Sequence, residues 1–231
     1  MVSSEYSTTL SLMAKYYNYY FCNMRKLPRN TFSQNGEDLI ILDHINEVYP
    51  DDIPIAMLDI GAFNGITLSN TYLLLSDKKT AFCIYYEPDK AIYRDLVNNI
   101  GYNDNVRFYN EGVGKEDGKF TWYDSQGDMV GTINPDHATK WGKHTKFTTN
   151  TKVDIISVPT LFERHGDNFT FINLDVEGNS ADLFFEMFPL FPSTLIWSVE
   201  HDGREKEIKE LTKDTHKVLE YNGENIIIAK K

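Results

Sequence analysis

Short apolar runs and helically spaced apolar positions take turns along most of this chain. Ala56–Ile60, Phe82–Glu87, Val106–Asn110, Phe169–Leu174 and Thr194–Val199 read as core strands. Leu39–Val48, Ile66–Leu75, Asp89–Asn99, Ser180–Phe188 and Arg204–Leu211 read as helices between them, with Ile92, Leu96 and Ile100 marking the inward side of one. Phe120–Tyr123 and Lys152–Val158 alternate like added strands. Lys217–Tyr221 and Asn225–Ala229 flank Asn222-Gly223, a strong hairpin turn. Strands alternating with helices and finishing in a hairpin predict an α/β fold: a mostly parallel sheet with an antiparallel C-terminal strand pair.

Two stretches stand outside that rhythm. Leu10, Met13, Tyr17 and Tyr20 recur at helical spacing, so residues 1–31 are expected to form an N-terminal helical extension ahead of a domain over 32–231. Its Tyr16–Phe21 segment is expected to pack on that domain; a subunit contact, and so an oligomer built through this helix, is the alternative. Asp124–Thr149 shows no strong period. A long irregular insert in a compact domain is often functional, and its His137, Trp141 and His144 are candidates to line an acceptor pocket.

Charge narrows the class of partner. The net charge of -11 disfavours a nucleic-acid surface, which needs clustered basic residues. No apolar run has the length of a membrane-spanning helix, and Met1–Leu12 lacks the regions of a signal peptide. The two cysteines, Cys22 and Cys83, suggest neither a disulfide framework nor a zinc site. A cytoplasmic protein without a membrane span is expected, in which the sequon at Asn168-Phe-Thr170 has no meaning.

The chemistry concentrates around Ala56–Gly65. Gly61 permits a sharp turn after the strand and Gly65 a second close approach of backbone to ligand. The spacing is not that of the dinucleotide fingerprint, and no Lys-Ser/Thr follows as a phosphate-cradling loop requires. Instead Asp59 lies at the strand end, and Glu87 ends the next strand, where an acid can accept hydrogen bonds from ribose hydroxyls. Either acid alone would be an ordinary polar strand end. The pair, with glycines after the first, points to a positively charged nucleoside, S-adenosylmethionine. Ser69, with Asn70 and Thr71 near a helix start, could meet the cofactor carboxylate or face solvent. Glu111-Gly-Val-Gly114 reads as a tight turn or as small residues against adenine, with Val113 as an apolar contact. Ser33 could cap the helix that follows, with Glu37 and Asp38 favoured in its first turn by the helix dipole.

Several segments in order resemble the FkbM-type methyltransferases: Phe32-Ser-Gln-Asn-Gly-Glu-Asp38, Leu58-Asp-Ile-Gly-Ala-Phe-Asn-Gly65, Ser69-Asn-Thr-Tyr72, Tyr86-Glu-Pro88 and Asn173-Leu-Asp-Val-Glu-Gly178. The resemblance implies a class I methyltransferase (Rossmann-like) fold with a seven-stranded sheet. It also implies O-methyl transfer from S-adenosylmethionine and a place for Gln34 over the cofactor's methionine end. The family's acceptors are diverse; a small-molecule or glycan hydroxyl is the expected one.

Asp175, Glu177, Glu200 and His201 follow adjacent strands at the edge where open α/β sheets place ligands. Asp175 is the expected catalytic and cofactor-facing acid. His201, whose ordinary pKa lies near neutrality, is the candidate base. Such ligands would also suit magnesium or manganese, though no metal-binding residue can be singled out. Two other functions compete: a non-catalytic S-adenosylmethionine-binding module and an RNA-directed methyltransferase, the latter disfavoured by the acidity.

Overall fold

The computed structural model describes residues 30–49, 53–76 and 80–231. The expected helix and oligomer contact at the N-terminus, and Cys22, lie outside them.

The main sheet has seven strands: β1 (Ile55–Ile60), β2 (Thr80–Tyr86), β3 (Val106–Tyr109), β7 (Phe171–Leu174), β8 (Ile196–Glu200), β9 (His216–Tyr221) and β10 (Asn225–Lys230). Their order is β3-β2-β1-β7-β8-β10-β9. All neighbours are parallel except β10, which runs antiparallel to both β8 and β9. A smaller sheet, ordered β4-β6-β5, holds β4 (Gly112–Gly114), β5 (Gly118–Asp124) and β6 (Thr148–Ser157). Of the two readings of Glu111–Gly114, the tight turn does not hold: Gly112–Gly114 is a strand, paired parallel with β6.

Every residue of β1 is buried, as its near-continuous apolar run requires of a strand covered on both faces. Leu58 and Ile60 point into the core under α5 (Val158–His165) and α6 (Ser180–Met187), where Leu161, Leu183 and Phe184 meet them. Met57 points the other way, toward Ile41 and Ile45 of α1 (Glu37–Val48), Leu74 of α2 (Tyr72–Leu75) and Leu96 of α3 (Lys90–Ile100). The strand's period of two places Asp59 on this second face as well. Truncating a core leucine such as Leu58 to alanine in so closed a layer costs about 2–5 kcal/mol.

Three local departures from the periodicity shape the site. The helix expected over Ile66–Leu75 begins only at Tyr72. Asn64 Oδ1 accepts from the Ile66 and Thr67 N–H groups at 3.0 and 2.8 Å, and Ser69 Oγ accepts from Tyr72 N–H at 3.0 Å. Such short polar side chains offer the backbone a better partner than a helical carbonyl. Gly36, not Ser33, holds the position before α1, while the Ser33 hydroxyl reaches forward to accept from Asp38 N–H. Inside the insert, Asn134 caps a helix, α4 (Pro135–Trp141), and α7 (Glu205–Thr212) completes the helices.

Gly61 turns the chain out of β1 with φ 84, and a Cβ there would sit 1.7 Å from the Asp175 carbonyl oxygen. Gly61→Ala is expected to cost about 3 kcal/mol or more, because backbone rather than a side-chain tip must move. A denaturant midpoint close to that of the parent would refute this.

Candidate active site

A cavity of about 620 Å³ opens over the C-terminal ends of β1, β2, β7 and β8, a volume suited to a cofactor-sized ligand. The sheet edge forms its floor, and the insert around α4 covers it. One wall is largely apolar, with Ile92, Val113, Trp122 and Ile155. The other carries acids: Asp175, Glu177, Glu200, Asp202 and Glu224.

Asp59 is the buried hub of the floor, 2% exposed. One carboxylate oxygen accepts from the Thr71 hydroxyl at 2.6 Å and the other from Asn173 Nδ2 at 2.9 Å. Asn173 in turn accepts from Asn70 Nδ2 at 2.9 Å, and Asn70 also reaches Ser198 at 3.3 Å. Burial raises the Asp59 pKa, and these donors work against the rise.

Glu87 sits past the end of β2. Its oxygens accept from the Phe63 and Asp89 N–H groups at 3.1 and 2.8 Å. Burial pushes its pKa up to about 8. Asp89 caps α3 and accepts from Trp122 Nε1 at 3.0 Å, so the smaller sheet is fastened beside Glu87 and closes the apolar wall.

At the acidic wall, Asp175 follows β7, with its pKa raised first by burial and then by Glu200 and Glu177. Glu200 accepts from Ser180 Oγ at 3.0 Å, and burial with the Glu177 and Asp202 charges lifts its pKa to about 8. Gln34 lines the cavity and donates to Glu224. His201 also lines it, but both ring nitrogens are engaged. Nδ1 accepts from Gly203 N–H at 2.9 Å, leaving the neutral ring's proton on Nε2, 3.3 Å from the Asn222 carbonyl. In this arrangement the His201 ring braces the β9–β10 turn.

Of the residues singled out in the sequence, Gln34, Asp59, Gly61, Ser69, Glu87, Val113, Asp175 and His201 line this one cavity. Gly65 does not: it packs against Leu96 and Ile100 of α3. From the insert, His137 and Trp141 line the cavity, while His144 is not among its lining residues. Sequence reasoning missed the close approach of His137 to Glu177. It also missed α4 and α5, although Asn134-Pro135 and Ser157-Val158-Pro159 carry the cap-then-proline signature of a helix start. Among the described residues no group of three or more His, Cys, Asp or Glu side chains is arranged to hold a metal ion, so the magnesium or manganese alternative has no ligand set there. No helix of the described residues is long and apolar enough to cross a membrane.

The strand order and a cavity at this sheet edge define a class I methyltransferase fold. The methyltransferase FkbM domain model matches residues 59–224. The chain belongs to this family and is an S-adenosylmethionine-dependent methyltransferase. No curated protein matches the chain. Solved structures of similar fold include the N-terminal domain of human METTL16 in complex with SAH, at 10% identity and a TM-score of 0.48 over 90% of this chain and 72% of that one. Human methyltransferase 10 domain containing protein shows 8% identity and 0.44 over 97% and 96%. The fibrillarin pre-rRNA processing protein of Methanococcus jannaschii shows 13% identity and 0.42 over 79% and 69%.

The raised carboxylates set a pH dependence. Glu87, Glu177 and Glu200 hold protons up to about pH 8 in the folded chain. In the unfolded chain they are ionised above about pH 5. The folded state therefore binds more protons, and stability falls as pH rises toward 8. Below about pH 6.5 the buried histidines oppose this, because burial lowers the pKa of His44, His137, His165 and His216. Between pH 6.5 and about 8.5 the acids act without that opposition. The urea midpoint of the ligand-free protein is expected to drop over this interval, and to drop less in Glu200→Gln. A midpoint that rises there would contradict the assignment.

Proposed function

We propose that the protein transfers a methyl group from S-adenosylmethionine to a hydroxyl of a small molecule or glycan. The observation carrying this reading is the pairing of Glu87, held past the end of β2, with the acidic wall across the same cavity. The cofactor supplies a methyl group already activated on a positive sulfur. Glu87 is placed to accept from ribose hydroxyls, since its oxygens keep acceptor capacity beyond their two backbone donors. Val113 offers an apolar contact to adenine. Ser69 and Gln34, which line the same cavity, would hold the methionine end, and Asp175 would face the sulfonium. Asp59 acts from below: 2% exposed and held by Thr71 and Asn173, it shapes the floor.

The acceptor reading rests on charge and enclosure. Acids line the cavity and the chain carries a net charge of -11; the net charge opposes a polyphosphate, and carboxyl groups in either protonation state hydrogen-bond a neutral polyol. RNA is the weaker choice on the same grounds, although a pre-rRNA processing protein is among those of similar fold. A cytoplasmic setting accords with Cys83, a buried free thiol.

Calorimetry with S-adenosylmethionine tests the cofactor site. Glu87→Gln, which keeps the shape but exchanges one acceptor oxygen for an amide donor, is expected to weaken binding by about 1 kcal/mol or more; unchanged affinity in a folded variant removes Glu87 from the site. Transfer is tested with labelled cofactor against glycans, hydroxylated natural products and RNA. With whichever acceptor is methylated, Asp175→Asn is expected to slow transfer by about 10²–10³-fold, as the loss of a charge opposite the sulfonium would. Methylation of RNA with none of the hydroxyl compounds modified would overturn the acceptor reading. Tight binding without transfer to any of them would favour the non-catalytic alternative.

A bound cation also makes the raised acids give up protons. Binding of S-adenosylmethionine at pH 7, measured in two buffers of different ionisation heat, is expected to release more protons than binding of S-adenosylhomocysteine, which lacks the sulfonium charge. Equal release would place the sulfonium away from the acidic wall.

A further inference from the structure

The insert does more than cover the cavity. Thr132 Oγ1 donates to the Glu177 carbonyl at 2.8 Å and Asn134 Nδ2 to the Gly178 carbonyl at 2.9 Å. Glu177 is held with φ 50, a left-handed conformation that is rare for residues other than glycine and clusters at functional sites. Gly178, φ 87, leaves room for the His137 ring: a Cβ there would lie 2.5 Å from Nδ1. His137 is buried, 7% exposed, and its Nε2 stands 3.0 Å from Glu177 Oε2, yet out of line for a hydrogen bond. A strained backbone, a glycine cleared for an imidazole and a buried ring nitrogen still lacking a hydrogen bond converge on one carboxylate in the cavity wall.

We propose that Glu177 takes the proton from the acceptor hydroxyl, with His137 of the insert as its positioning residue. This rests on the methyl-transfer reading above. As the acceptor oxygen's lone pair forms the new bond to the methyl carbon, the sulfur–carbon bond breaks and its electron pair stays on sulfur. The hydroxyl proton passes to Glu177. Ionised Glu177 draws the Nε2–H of His137 into line, and apo hydrogen bonds at such centres commonly tighten only in the complex. The groups facing Glu177 are Asp175 on its own loop, Glu200 and Asp202 after β8, Glu224 from the β9–β10 turn, and Asp128, Lys140 and His137 from the insert. Burial among these acids is what sets its pKa near 8, with Lys140 pulling the other way.

Sinefungin tests the proposal without a known acceptor, because it carries a protonated amine where the transferable methyl sits. The full chain is titrated with sinefungin and with S-adenosylhomocysteine across pH 6 to 9, a range chosen to bracket the Glu177 pKa of about 8. The parent is expected to prefer sinefungin increasingly as Glu177 ionises. In Glu177→Gln the preference is expected to fall about tenfold or more, with S-adenosylhomocysteine affinity kept. An unchanged preference in the folded variant overturns the role of Glu177. His137→Gln and His137→Ala are expected to move the midpoint of the pH profile upward, since a lost donor disfavours the carboxylate. A purely structural histidine would lower the melting temperature and leave that midpoint in place, which overturns the part given to His137. If the parent binds neither compound, the methyl-donor reading itself has failed.

Discussion

A carboxylate buried in the middle of a sheet sets the terms for everything above it. Asp59 leaves water almost completely, and an ion so placed survives only if its oxygens are satisfied. Thr71 and Asn173 do this from two directions, one from the loop before α2 and one from β7. Removing either would strand a buried acceptor, at a cost of about 1–3 kcal/mol or more for a charged group. The loop after Gly65 is therefore not free to wind into the helix its apolar spacing suggests. Asn173 also presents its amide oxygen to Asn70, and Asn70 reaches Ser198. One carboxylate thus aligns β1, β7, β8 and the loop as a single polar platform under the cavity.

Above that platform the site divides by polarity. The apolar wall depends on the smaller sheet, which the Trp122–Asp89 hydrogen bond secures beside Glu87. The acidic wall depends on loops after β7 and β8, whose carboxylates raise one another's pKa. Acids left so crowded destabilise the empty protein and favour a cationic guest. The insert is tied to the Asp175–Gly178 loop through Thr132 and Asn134, so the cover of the cavity and its acidic wall share hydrogen bonds.

How much of this was legible in the sequence follows from how local each cause is. The core strands and the Asn222-Gly223 hairpin were readable because apolar runs and turn dipeptides act within a few residues. Asp59 and Glu87 could be placed because an acid at a strand end is conspicuous. The helix over Ile66–Leu75 was overcalled: the period counted Ile66 and Leu68 but not the pull of Asn64 and Ser69 on the backbone. Gly65 misled in the other direction, since its lack of a side chain serves the packing of α3. His201 stands out as a candidate base by its residue type, but its partners Gly203 and Asn222 are visible only in the fold. The approach of His137 to Glu177 needed the insert folded onto a loop distant in sequence, which no local pattern encodes.

The clasp at Glu37 has a consequence for how the molecule is made. Glu37 Oε1 accepts from Asn222 Nδ2 at 2.8 Å and Asn225 Nδ2 at 3.2 Å, across most of the chain. β10 in turn slots between β8 and β9. During synthesis the edge of β8 stays unpaired until β10 has left the ribosome, and the turn holding Glu224 is set only then. Contacts of such separation carry a large loop-closure cost and form slowly. A nascent chain would thus carry a nearly complete sheet, its Asp59 platform in place, with one strand's width of hydrogen-bonding edge exposed to any neighbouring chain.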